Sequence, residues 1–263
     1  MTLADVTVVI PCFNSSGTIG RALRSVQHQT HVPREIIIVD DGSNDDLERA
    51  INVIRPTTPH LSIRYARHNT NSGAANARNH GWGLATCTYI AFLDADDEWF
   101  PEKIERQLDV MLKRPNLAIS GHRYTEILVE TQPRRHLRLR AITLRRLLFR
   151  NYFSTPSVMI RRDVSTRFRT GWSHSEDYLL WLETVAHYGA ALLIDEPLVR
   201  LHKPAYGASG LSADTSAMQH GEIQAYQQLR ESGDISKVWY LLATAWSFTR
   251  YVRRLLLLRV RRS

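Results

Sequence analysis

The chain has 263 residues, enough for one large α/β domain and an appendage. Its 43% apolar and 23% charged content is that of a soluble globular protein. No run of about 18 apolar residues is present, so no membrane-spanning helix is expected. The net charge of +8 gathers in arginines at 134–150 and 250–262, surfaces suited to anionic lipid, phosphate or nucleic acid.

Cys12 and Cys87 follow no metal-ligand spacing and read as buried thiols in a reducing cytosol. The first six residues have neither a basic segment nor a long apolar core, so no signal peptide is expected. Residues 6–10 are a β-branched run ended by Pro11, a first buried strand. A loop of Asn14, Ser15, Ser16 and Gly17 leads into a helix to about Gln29, with Ile19, Leu23 and Val26 on one face. Residues 35–39 form a second strand that runs into Asp40, Asp41, Gly42 and Ser43. A helix to about Ile54 is broken by Pro56 and Pro59, and residues 61–66 form a third strand. The helix predicted over 71–84 opens with Ser72 and Gly73. Its small residues would let it lie close to another backbone or a ligand. Residues 89–93 are an apolar strand that stops at Asp94, Asp96 and Asp97. Pro101 marks the expected start of the next helix, whose apolar stripe is Ile104, Leu108, Met111 and Leu112.

This alternation predicts an α/β fold, a mainly parallel sheet with helices on both faces. After about residue 116 the pattern is less regular. Residues 117–129 read as one or two strands, 134–150 as a basic solvated helix, and 154–160 as a strand returning to the sheet. Residues 176–187 read as a helix and 192–194 as a short strand. From Asp214 onward the chain reads as helical.

Four loops should converge on one sheet edge, at residues 11–14, 40–43, 73–78 and 94–97. In open α/β sheets the carboxyl ends of the strands are where ligands bind. Carboxylates as close as Asp94, Asp96 and Asp97 repel one another unless a cation sits between them. A hydrated divalent ion bound to substrate phosphates would meet that need; an acidic turn that caps the next helix is the plain alternative. No Gly-x-Gly-x-x-Gly follows the first strand and no P-loop is present, which disfavours a dinucleotide fold and excludes a P-loop enzyme. Nucleic-acid binding lacks zinc spacing, RNA-recognition aromatics or a recognition-helix pattern.

Five stretches together resemble the family 2 glycosyltransferases of GT-A fold. They are Val9-Ile10-Pro11-Cys12-Phe13-Asn14, Val39-Asp40-Asp41-Gly42-Ser43, Asn71-Ser72-Gly73 through Ala77-Arg78-Asn79, Leu93-Asp94-Ala95-Asp96-Asp97 and Ser175-Glu176-Asp177. The resemblance covers roughly residues 5–205. It implies a domain over 1–205, with a nucleotide-binding half (1–115) and an acceptor and catalytic half (116–205), followed by a basic helical extension (206–263). It also implies inverting transfer of a sugar from a nucleotide-diphosphate sugar, usually a UDP-sugar, with Mg2+ or Mn2+. By position, Pro11 and Phe13 would line the base pocket with Asn14 beside it, and Asp41 would accept a hydrogen bond from uracil. Gly73 and Arg78 would border the nucleotide, and Asp94 would approach the ribose with Ala95 in the same binding stretch. Asp96 would reach the metal, and His202 would touch the metal or a phosphate. Asp97 would either join this group or cap the following helix.

An inverting displacement needs a base on the face opposite the leaving group, so it should come from a different segment, and the resemblance implies Asp177 by position. Processive relatives carry Gln-x-x-Arg-Trp after Glu-Asp, whereas Tyr178-Leu179-Leu180-Trp181 stands here, which favours a single sugar addition. The expected acceptor is a glycan or lipid-linked glycan in cell-surface polysaccharide synthesis. The expected location is cytoplasmic; residues 238–263 read either as a peripheral contact to anionic membrane or as a helix packed on the catalytic domain that ends in a solvated basic tail, and the two are compatible. The alternative is a nucleotide-sugar-binding protein without catalysis.

Overall fold

The computed structural model describes residues 2–54, 60–126, 137–202 and 214–260. The sequence expectations at Pro56, Pro59, 127–129, 134–136 and 261–262 lie outside the described residues, as do the side chains after Arg254.

Strand β1 (Thr2–Cys12) and helix α1 (Ile19–Gln27) lead to β2 (His31–Asp40), α2 (Leu47–Asn52), β3 (Ser62–Arg67), α3 (Ala74–Leu84) and β4 (Tyr89–Phe92). The sheet begins in the order β3-β2-β1-β4, with every pairing parallel. Alternate strand residues enter opposite cores, as the period of two requires. Val9, Ile37, Val39, Ile90 and Phe92 belong to one core, and Val8, Ile10, Ile36, Ile38, Ala91 and Leu93 to the other. Burial on both faces explains why these strands read as unbroken apolar runs.

Helices α1, α2 and α4 (Lys103–Leu112) cover the second core. Helices α3, α5 (Leu144–Phe149), α6 (Glu176–Tyr188) and α7 (Thr215–Glu231) cover the first. Small residues do bring α3 close to the sheet: a Cβ on Gly81 would stand 2.4 Å from Val9 Cγ1. Helix α8 (Lys237–Val260) follows a turn at Gly233 and adds Ala243 to the first core.

Beyond β4 the sheet turns mixed. Strand β8 (Met159–Arg161) is antiparallel to β4, and β6 (Ile119–Thr125) is antiparallel to β8. Strand β9 (Ala191–Arg200) runs parallel to β6 and also pairs with β5 (Glu98–Trp99) and β7 (Leu139–Ile142).

Several sequence expectations are corrected here. Pro101 does not open a helix directly after the acidic turn. Strand β5 intervenes because Trp99 is buried against β9 and donates Nε1–H to Pro156 O at 2.8 Å, and α4 starts only at Lys103. Asp97 therefore caps no helix; the N-cap is Glu102. The region from 137 to 150 is not a solvated helix. It is strand β7 followed by α5, with Leu147 and Leu148 fully buried and Thr143 capping. Thr155–Ser157 form a 3-10 turn around Pro156 rather than strand. Gly73, at φ 91°, starts α3 three residues later than predicted.

Candidate active site

Strands β1, β2 and β4 end at the same edge, and the strand order reverses at β1. A crevice at that switch point follows from the topology. The cleft there measures about 630 Å³. It gathers Pro11 from the end of β1, Phe13 and Asn14 just after it, and Asp41 after β2. Gly73 and Arg78 come from the start of α3, and Asp94, Ala95 and Asp96 from the end of β4. Gly171, Trp172, Ser173 and Glu176 form the opposite wall.

The paired aspartates after β2 have different work. Asp40 is fully buried and accepts from Ser43 N, Tyr65 Oη and Arg67 Nη1 at 2.6–2.8 Å. Burial opposes its charge, but these donors outweigh burial and hold the carboxyl below its usual value. Asp40 thus builds the turn. Asp41 faces the cleft and accepts from Ser72 N at 3.0 Å and Gly73 N at 2.7 Å, which fixes the loop before α3. His68 Nδ1 lies 2.7 Å from Asp41, and His68 Nε2 lies 2.8 Å from His80 Nδ1. A carboxylate only accepts, so His68 donates from Nδ1. Asn14, at φ 50°, ties the first two loops together: its N–H donates to Ser43 Oγ, and its Oδ1 accepts from Asn44 N. Phe13 beside it is 45% exposed, an aromatic face open to the cleft.

Arg78 joins the two walls. Its Nη2 donates to Asp94 at 2.8 Å and its Nη1 to Glu176 at 3.1 Å, while its guanidinium lies 5.4 Å from the Phe168 ring centre. Asp96 lines the cleft, and its carbonyl accepts from Arg21 at 2.5 Å. Asp97 is buried behind them. Burial, then the charges of Asp94 and Asp96, push its carboxyl up to about 8. That crowding fits a hard cation, which needs one or two carboxylates and takes its other ligands from phosphate and water. Among the described residues, no group of three or more His, Cys, Asp or Glu is placed to hold a metal ion.

His202 stands outside the cleft lining. Its backbone N–H donates to Asp97 at 3.1 Å, and its Nε2 lies 3.3 Å from Glu98. Asp177 also stands just outside that lining, next to Glu176 at the start of α6. Its Oδ2 accepts from Thr155 Oγ1 at 3.0 Å. Burial, then the neighbouring Glu176 charge, push its carboxyl up to about 6, against the pull of Arg78. The residue before them, Ser175, is held at φ 60°. Such strain persists only where the surroundings over-determine it. Helix α7 supplies the constraint: a Cβ on Gly221 would lie 2.5 Å from His174 O, and Ser175 Oγ donates to Met218 O.

The sequence names Glu176 within the Ser175-Glu176-Asp177 motif without giving it a role, and does not single out Thr155, Trp172 or His68. Glu176 was visible in the Glu-Asp pair, and a buried arginine on α3 implied an acid to meet it. The other three depend on long-range folding, and nothing in their neighbours marks them.

A profile described as Glycosyl transferase family 2 matches residues 7–175. The Escherichia coli protein named UDP-Glc:alpha-D-GlcNAc-diphosphoundecaprenol beta-1,3-glucosyltransferase WfgD is 31% identical over 178 residues, 67% of this chain and 68% of its own. Two uncharacterized glycosyltransferases, of Rickettsia felis and Rickettsia bellii, match over 46% and 47% of this chain and 19% and 17% of their own length. Among solved structures, S. aureus TarS 1-349 in complex with UDP-GlcNAc superposes with a TM-score of 0.73 at 17% identity, over 95% of this chain and 72% of that one. The mannosyltransferase PcManGT from Pyrobaculum calidifontis, in complex with GDP-Man and Mn2+, gives a TM-score of 0.65 at 17% identity, over 95% and 75%. These two likenesses are of fold.

Proposed function

The chain belongs to glycosyltransferase family 2 and has its GT-A fold, and from that premise we propose that it moves one sugar, with inversion, from a UDP-sugar to a hydroxyl of a glycan or lipid-linked glycan in cell-surface polysaccharide synthesis. The observation that carries this reading is one cleft lined at once by the exposed Phe13, by Asp41, by Asp94 and Asp96, and by Glu176, with Arg78 bonded to both Asp94 and Glu176. The names of relatives support it: WfgD is named for a UDP-Glc donor and a diphosphoundecaprenol-linked acceptor, and TarS holds UDP-GlcNAc.

Phe13 stacks on the base, Pro11 and Asn14 shape its pocket, and Asp41 accepts from the uracil ring. Gly73 lets the backbone approach the nucleotide, Arg78 holds Asp94 toward the ribose, and Ala95 keeps the turn between Asp94 and Asp96 small. A bound Mg2+ or Mn2+ on Asp96 would neutralise charge on the departing diphosphate. His202 is proposed to reach the metal or a phosphate, which requires its ring to leave Glu98.

Asp177 takes the proton from the acceptor hydroxyl. A carboxyl near 6 is mostly ionised at neutral pH yet basic enough to accept that proton. Thr155 orients one oxygen, and the backbone N–H of Tyr178 holds the other at 2.7 Å. A cytoplasmic location belongs to the same reading, as does bilayer contact through residues 238–263. Among the described residues, no helix is long and apolar enough to cross a membrane.

The test is a panel of radiolabelled nucleotide-sugars with the wild type and Asp96→Ala. The wild type should transfer or hydrolyse a UDP-sugar only with divalent metal. The variant should lose that activity while keeping its melting temperature. Full activity of Asp96→Ala would sink the assignment.

A further inference from the structure

Helix α8 carries an apolar stripe that the described residues leave open. Val238, Leu241, Leu242, Phe248 and Val252 are 39–63% exposed. At about 100° per residue they fall within an arc of roughly 120°. The opposite face is packed: Ala243 and Ser247 are buried, and Gln219 of α7 donates to Ser247 Oγ at 2.9 Å. From Lys237 to Val260 the helix contains no Asp or Glu.

Helix α5 lies along the border of this stripe. The Phe149 ring packs edge-on against Trp239 and Trp246, and Trp246 Nε1–H donates to Phe149 O at 3.0 Å. Arg145 stacks 4.9 Å from the Trp239 ring centre. Arg145, Arg146 and Arg150 are all exposed, Arg146 donating to Ala141 O and Arg150 stacking over Tyr152, and Arg253 is exposed at the stripe's edge while Arg250 pairs with Glu222. The exposed arginines of α5 and Arg253 of α8, far apart in sequence, thus sit on the two helices that carry this apolar strip.

We propose that α5 and α8 together form a docking face for an anionic bilayer surface. The stripe enters the headgroup boundary, where apolar helix faces sit shallowly, and the arginines meet lipid phosphates. A second copy of the chain fits this face poorly, because a two-fold contact sets the same patch against itself and neither α5 nor α8 carries an Asp or Glu to meet the arginines. The inference extends the proposed bilayer contact to α5. Its use for catalysis rests on the lipid-linked acceptor, but docking itself does not.

The experiment is flotation with phosphatidylcholine vesicles, with and without phosphatidylglycerol, beside UDP-sugar hydrolysis in free solution. Wild type should float with the anionic vesicles at low salt and lose binding as salt rises. Leu241→Glu with Phe248→Glu should abolish flotation. Arg145→Gln and Arg146→Gln should each weaken partition roughly fivefold, the equivalent of about 1 kcal/mol per arginine. All variants alter exposed side chains and should keep the wild-type melting temperature and hydrolysis rate. Failed docking with intact hydrolysis overturns this inference alone, whereas intact docking without hydrolysis overturns the catalytic reading. Absence of wild-type flotation at low salt, or equal flotation of every form, overturns the docking face. So does a wild-type dimer by light scattering that Leu241→Glu dissociates, because the stripe would then belong to a second copy.

Discussion

The two walls of the cleft are held by different means. On the nucleotide wall, side chains follow their strands closely: Asp41 comes directly after β2, and Asp94 and Asp96 lie within four residues of β4. The parallel ladders of β1, β2 and β4 set the height of each. On the opposite wall the groups come from a 3-10 turn, a loop and a strained helix start. Their bracing partners are distant in sequence, with α7 pressed on His174 and Thr155 reaching Asp177. A sheet edge positions groups by regular backbone, so its details tolerate remote change. The second wall depends on a few long-range contacts and should fail when those fail.

The sharpest way to break this contrast is Arg78→Met, because Arg78 bonds to both walls. Glu176 is nearly buried and would lose its cation, so stability should fall by about 3 kcal/mol, the low end for a broken buried pair given the partial exposure of Asp94. Chemical denaturation would measure it, and a change below about 0.5 kcal/mol would show that the walls stand independently.

Next in size is Asp177→Asn, expected to cut transfer by roughly 10²-fold or more while UDP binding persists. The wild-type kcat/KM should have an acid limb near pH 6, falling as pH drops because the base must be ionised. The variant should lack that limb. A normal rate, or an unchanged limb, would leave Asp177 as a helix-terminus residue.

The smallest expected effect is the most diagnostic of the contrast. Gly221→Ala is remote from the cleft but puts a methyl 2.5 Å from His174 O. It should cost about 1–3 kcal/mol and slow transfer more than it weakens UDP binding, since it moves only the second wall. A parallel loss of UDP affinity, measured by thermal shift, would contradict the separation.

The same contrast explains what was legible in the sequence. Strands β1, β2 and β4 announce themselves as apolar runs ending in Pro11, Asp40 and Asp94, and their loops carry the polar residues. The second half hid its structure because tertiary contacts decided it. Leu144, Leu147 and Leu148 stand among arginines that suggest a solvated face, yet α6 and α7 claim two of these leucines: Tyr178 and Tyr226 donate to the carbonyls of Leu147 and Leu148. Strand β5 has two residues, too few for any periodicity, and exists because Trp99 needs a buried site. No local signal marks Thr155 or Trp172.

The two thiols have a practical consequence. Cys12 ends β1 at the floor of the cleft, and Cys87 lies before β4 at the far edge of the sheet. Both are buried, and burial pushes both thiols up, so neither is a ready nucleophile. Alkylation of either therefore reports opening of the structure, not resting exposure. A reagent that reaches Cys12 ahead of Cys87 times the loosening of the cleft floor, while equal rates time global unfolding. The chain thus contains its own two-point chemical clock, with no engineered label, for following how nucleotide, metal or vesicles tighten one end of the sheet relative to the other.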